Sequence, residues 1–142
     1  MVLTFLGTGT SQGIPVVACN CDVCKSTDQK DKRLRTSVMV EAEGKRIIID
    51  CGPDFRQQML REDVHSIDAI LITHAHKDHL GGLDDVRAFN YFLKKPTDIY
   101  STFDVQQVIK REFSYAFGEG KYPGVPEFNL HLIENKHFDI HP

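Results

Sequence analysis

The run Asp68-Ala69-Ile70-Leu71-Ile72-Thr73 has the length and apolar character of a buried strand, and it stops abruptly in His74-Ala75-His76-Lys77-Asp78-His79-Leu80-Gly81-Gly82. No other feature restricts the chain as much. Three histidines and an aspartate must sit together where a core strand reaches the surface. Residues two apart in extended backbone point to the same side, so His74 and His76 can grip one ion together. The chain then turns, which lets Asp78 and His79 face a second ion. Imidazole nitrogen with carboxylate oxygen suits zinc, iron or manganese and does not suit calcium. Two such ions about 4 Å apart can share a hydroxide activated as a nucleophile at neutral pH. Gly81 and Gly82 let the backbone pass close to the cluster. The plain alternative is an exposed polar loop. The whole chain has seven histidines, so three of them in one such stretch argue against chance.

The rest of the pattern is strands first, then strands alternating with helices. Val2–Leu6 reads as a strand ending at Gly7-Thr8-Gly9-Thr10. Ser37–Glu41 and Lys45–Ile49 flank Glu43-Gly44 as a hairpin, with Ile47-Ile48-Ile49 expected to be buried on both faces. Pro53 and Asp54 suit the start of a helix reaching about Glu62, with Phe55 and Met59 inward. Residues 74–79 read as a loop, and Gly81-Gly82 opens a helix with Leu83, Val86, Phe89 and Leu93 on one face. Ile99-Tyr100 is a short strand. Thr102 is expected to cap a helix through about Ala116, with Val105, Val108, Ile109 and Phe113 inward, and a last strand lies near Phe128–Ile133. This order predicts one α/β layered domain over residues 1–142.

Charge and leader features narrow the setting. Lys plus Arg is 17 and Asp plus Glu is 20, a formal net charge of -3. That balance argues against a general nucleic-acid-binding surface, yet leaves room for a small phosphate held by local groups. Met1 leads straight into a strand-like run without a basic leader region, and no apolar stretch has membrane-spanning length. A cytoplasmic protein without membrane attachment is expected.

Cys19, Cys21 and Cys24 offer three thiolates within six residues. This spacing reads as a structural zinc site rather than a disulfide framework, although such a site normally takes four ligands and the fourth is not evident. The alternative is three reduced, unliganded thiols. Cys51 reads as a small buried hydrophobe beside Asp50. Gly7-x-Gly9 does not fit a dinucleotide loop, because Ile14-Pro15 and the cysteines replace the required helix. Arg35-Thr36-Ser37 is a weak candidate for contacting a phosphate.

His74-x-His76-x-Asp78-His79 after a hydrophobic strand resembles the metallo-β-lactamase superfamily signature. The resemblance implies an αββα sandwich of which this chain holds the N-terminal half. It assigns His74 and His76 to one metal and Asp78 and His79 to the other, the latter two also counted as catalytic. It makes Asp50 the carboxylate that orients the site without ligating. The opening Gly7-Thr-Gly-Thr-Ser-Gln-Gly13-Ile-Pro with the cysteine triad resembles the phosphodiesterase branch that opens phosphoribosyl 1,2-cyclic phosphate, whose members place a structural zinc on such a triad with a distant histidine. A protein of pyrroloquinoline quinone biosynthesis has a similar cysteine opening but lacks a normal His-x-His-x-Asp-His.

Those families are much longer, with two αβ halves and the metals between them. The remaining ligands are therefore expected beyond Pro142. His131, His137 and His141 have no matching motif context. The expected cofactors are two divalent metals (zinc, manganese or iron) and one structural zinc. The expected substrate is a small phosphate diester, with Lys77 a leaving-group acid by position alone. An RNA 3′-end nuclease or a non-catalytic metal-binding accessory protein are the alternatives. A sheet surface meant for a second half would be exposed and apolar, so homo-oligomerisation is expected as well.

Overall fold

A computed structural model describes residues 1–140. The strands are β1 (Val2–Gly7), β2 (Ser37–Ala42), β3 (Lys45–Ile49), β4 (Ala69–Leu71), β5 (Thr97–Ser101) and β6 (Phe128–Leu132). The helices are α1 (Asp22–Lys25), α2 (Phe55–Arg61), α3 (Lys77–Leu80), α4 (Arg87–Leu93) and α5 (Phe103–Glu112). The six strands form one sheet in strict chain order, β1-β2-β3-β4-β5-β6. β1, β2 and β3 pair antiparallel, and β3 through β6 pair parallel.

Strict order has a consequence. Parallel crossovers share one hand, so successive crossovers stepping the same way lay their helices on the same face. Phe55, Met59, Leu83, Val86, Val105 and Ile109 accordingly share one core with Met39, Ile48, Ile70 and Ile99 of the sheet. Among the described residues no helix packs on the opposite face, although Tyr100 is buried there under His131 and Phe138. One row across it runs Phe5, Val38, Ile49, Leu71, Tyr100, His131, and the next runs Leu3, Val40, Ile47, Ala69, Asp98, Asn129. Phe5 is 65% exposed and Leu3 51%. Ile48 is buried, while Ile47 and Ile49 are half-exposed. Burial on both faces, the expectation for this triplet, is only partial, because among the described residues no helix packs over Ile47 and Ile49.

Other departures are local. α3 occupies Lys77–Leu80, where a loop was expected, and β4 ends at Leu71 instead of Thr73. Leu83–Val86 is a 3₁₀ segment before α4, and α5 ends at Glu112, ahead of a short 3₁₀ turn at Ser114–Ala116. Thr102 stands at the N-cap of α5 but its hydroxyl makes no capping bond. Asp54 does not cap α2 either. Its carboxylate instead accepts from the Arg35 backbone N–H (2.7 Å) and Arg35 Nη1 (2.8 Å). Asn90 ties the far edge: Nδ2 donates to Lys95 O, Thr97 Oγ1 and Glu127 O, and Oδ1 accepts from the Glu127 N–H.

Candidate metal centre

β3 and β4 are adjacent and parallel, so their carboxyl ends open on the same edge of the sheet, where open α/β sheets place ligands. Asp50 leaves the first end and Thr73-His74 leaves the second. Asp50 is buried and has φ of +66°, a left-handed conformation that aspartate tolerates better than most residues. That turn aims its carboxylate at the neighbouring strand end. Oδ1 accepts the Thr73 backbone N–H (2.8 Å), and the Thr73 hydroxyl lies 3.0 Å from Oδ1 and 2.8 Å from Oδ2. His79 Nδ1 donates to Oδ2 at 2.7 Å. A carboxylate only accepts, so His79 carries a proton on Nδ1, and its Nε2 is the nitrogen turned toward Asp78.

Two donor pairs result. His74 Nε2 and His76 Nδ1 lie 3.2 Å apart. His79 Nε2 and Asp78 Oδ2 lie 3.1 Å apart. With metal–nitrogen bonds of about 2.0–2.1 Å, the edge of a tetrahedron is about 3.3 Å, so each pair has the spacing of two ligands on one ion. The His74 and His79 rings are 4.0 Å apart between centroids, which sets the pairs side by side. The donor types and spacing fit transition-metal cations.

The turn around the cluster admits glycine alone at two places. A Cβ on Gly52 would lie 2.1 Å from Asp78 O, and one on Gly82 would lie 2.0 Å from Gly52 O. This close approach is locked by Cys51 N–H to His79 O (2.7 Å) and Gly82 N–H to Cys51 O (2.9 Å). Cys51 is fully buried, as expected of it. Burial, with the negative fields of Asp85 and Asp50, pushes its thiol well above the usual value.

Lys77, the candidate leaving-group acid by position, salt-bridges Glu112 on α5. The Arg35-Thr36-Ser37 phosphate contact is not supported. Arg35 is held by Asp54, and Ser37 Oγ donates to Asp50 O at 2.8 Å. His131 sits at the edge strand, 2.7 Å from Asp98 and stacked on Tyr100. His137 is exposed beside Asp139. Neither joins the donor pairs. His141 lies outside the described residues. The Thr73 hydroxyl and the Glu112 carboxylate make contacts that no sequence pattern signals.

The cysteine triad forms a second cluster. The three Sγ atoms lie within 4.8 Å of one another, and no carboxylate or imidazole joins them among the described residues. Cys19 and Cys21 are exposed and Cys24 is half-buried. The Cys24 backbone N–H, then the Cys19 and Cys24 thiols, hold the Cys21 thiol below its ordinary value. The Val16 N–H pulls Cys24 down, but burial and the neighbouring thiols outweigh it and raise it. Three sulfurs so placed fit a tetrahedral cation with one position left for another ligand.

A family model described as a β-lactamase superfamily domain matches residues 45–141. The chain belongs to the metallo-β-lactamase superfamily. Among the proteins it is similar to, one named octanoyltransferase from Porphyromonas gingivalis is 47% identical over 126 residues, covering 88% of this chain and 25% of that protein. A ribonuclease Z from Bradyrhizobium diazoefficiens is 31% identical over 131 residues, covering 89% of this chain and 38% of that protein. The crystal structure of a diphosphatase of the PhnP family is 41% identical, with a TM-score of 0.86, covering 96% of this chain and 52% of that one. This superfamily chain thus spans between a quarter and about half the length of these relatives. Zinc-bound PqqB from Methylobacterium extorquens shares the fold at 21% identity and a TM-score of 0.75. No helix of the described residues is long and apolar enough to cross a membrane.

Proposed function

We propose that this chain carries part of the active site of a metal-dependent hydrolase, a phosphodiesterase that opens a small cyclic or nucleotide-like phosphate diester. The observation that carries the reading is the paired donor geometry, with His74/His76 and Asp78/His79 each at ligand spacing and side by side. The 41% likeness to a diphosphatase supports phosphate chemistry. In this reading His74 and His76 hold one divalent cation, zinc, manganese or iron, and Asp78 and His79 hold the second. Such cations supply Lewis acidity toward the phosphoryl oxygens and a water nucleophile at neutral pH. Asp50 holds the His79 ring and so sets which nitrogen faces the site. Cys19, Cys21 and Cys24 hold a structural zinc that fixes the loop between β1 and β2. The protein works in the cytoplasm, where exposed thiols stay reduced.

Hydrolysis of bis(p-nitrophenyl) phosphate with manganese or zinc, by the longest form in which this chain occurs, tests the reading. Activity lost in His76→Ala supports it, and no diesterase activity with either metal overturns it. The ribonuclease Z likeness favours RNA as a second reading. It predicts RNA binding that weakens steeply with salt, which a net charge of -3 opposes.

The sheet face opposite the helices carries a proposal of its own: this chain by itself self-associates through Leu3, Phe5 and their row neighbours. Sedimentation velocity is expected to show dimers or larger species that dissociate in Phe5→Lys. A monomer at every concentration overturns it.

A further inference from the structure

Thr73 lies two residues past the end of β4. Its hydroxyl sits between two groups, the Asp50 carboxylate at 2.8 and 3.0 Å and His74 Nδ1 at 3.0 Å. A hydroxyl has one proton to give and two lone pairs to accept with. The carboxylate can only accept, so the hydroxyl proton goes to Asp50. The contact with His74 then requires that His74 Nδ1 be the donor. This leaves His74 Nε2 bare, and Nε2 is the atom that faces His76 Nδ1. Asp50 acts on His79 directly, through the 2.7 Å bond to Nδ1.

We propose that Thr73 is a positioning residue that passes the orienting effect of Asp50 to His74, so that one carboxylate fixes one histidine of each donor pair. The proposal rests on the metal reading above for its purpose, but its hydrogen-bond chain is testable without metal. Two features make the test clean. Thr73 is exposed, so a change of its side chain leaves the core intact. Its backbone N–H holds Asp50 Oδ1 independently, so Asp50 stays in place when the hydroxyl is lost.

The experiment compares wild type, Thr73→Val and Thr73→Ser by long-range ¹H–¹⁵N spectra of the histidine rings in the metal-free chain, at a pH where imidazoles are neutral, and by zinc titration. Wild type is expected to show both His74 and His79 protonated on Nδ1. In Thr73→Val, His74 shifts toward the Nε2-protonated form while His79 does not change. With the cysteine cluster already loaded, zinc affinity at the histidine pairs falls about tenfold, the lower end of what loss of a ligand-orienting partner costs. Thr73→Ser restores both readouts. A His74 tautomer unchanged in Thr73→Val overturns the proposal, as does a zinc affinity within twofold of wild type. If wild type binds no zinc beyond the cysteine cluster, the metal reading of the histidine pairs fails, and the ring spectra still decide whether Thr73 orients His74.

Discussion

The histidine–aspartate cluster is shaped by residues far away in the chain, whereas the cysteine cluster is shaped by its own six residues and the Val16 N–H. Asp50 stands 29 positions before His79, and Gly52 meets the backbone of Asp78. These contacts exist only when β3 and β4 lie side by side, so folding itself builds the first site. Cys19 and Cys21 are exposed, and the triad touches little of the core. Its geometry is a local turn that an ion would close. A site made by tertiary contacts responds to substitutions distant in sequence. A site made by local spacing responds mainly to its own donors.

The largest expected effect follows from removing the long-range partner. Asp50→Ala leaves His79 Nδ1, the Thr73 hydroxyl and the Thr73 N–H without their acceptor. Metal affinity at the Asp78/His79 pair is expected to fall about 100-fold, and folding stability by about 2–3 kcal/mol for the unpaired polar groups. Zinc affinity at the cysteine cluster is expected to stay unchanged. Calorimetric metal titration with thermal melts checks this, and equal loss at both clusters would break the contrast between them.

Close packing comes next. Gly52→Ala forces a Cβ to 2.1 Å from Asp78 O, backbone that cannot step aside without moving α3. A destabilisation of about 2–3 kcal/mol is expected from this overpacking, with metal binding at the histidine pairs weakened in parallel. Val17→Ala, at a side chain 94% exposed near the cysteines, is expected to leave the melting temperature unchanged. Urea melts of the two variants make the comparison.

Thiol reactivity separates the clusters kinetically. The lowered Cys21 thiol is expected to alkylate first, and zinc is expected to protect all three cysteines of the triad until a chelator is added. Cys51, fully buried and raised by burial, reacts only on unfolding. Mass spectrometry of timed alkylation reads the order. Rapid labelling of Cys51 in the folded chain would show that the turn against His79 opens readily.

Much of this was readable in the residues because the determinants are local. Hydrophobic period placed all six strands and the inward faces of α2 and α5, and the His-x-His-x-Asp-His spacing picked out side chains that the fold brings together in two pairs. Asp50 was expected to orient the site and lies against His79. The failures share a cause. Asp54 suits the positive end of a helix, and it stands at the start of α2, yet its carboxylate is taken by Arg35 from 19 positions earlier. Ile47 and Ile49 looked doubly buried because β-branched runs usually are; their second face depends on a layer these residues cannot specify. The hydroxyl of Thr73 carries no pattern signal at all, since its partners are set by the pairing of β3 with β4.

Lys77 gives the smallest effect and the sharpest limit on the long-range argument. It lies inside the histidine motif, yet its partner is Glu112 on the surface of α5. The hydrogen bond from Lys77, then its charge, holds the Glu112 carboxyl below its ordinary value. A depressed carboxyl contributes stability that is present above the ordinary carboxylate value and is lost as pH falls through the lowered one. Because the pair is exposed, solvent screens it, and Lys77→Met is expected to leave the melting temperature at neutral pH within error. The Glu112 titration midpoint, followed by carboxyl ¹³C shifts, rises back toward that of a free glutamate. A long-range contact at the surface thus shifts one titration without shaping the site. If Lys77→Met instead lowered metal affinity at the histidine pairs, α5 would belong to the framework that Asp50 and Gly52 define.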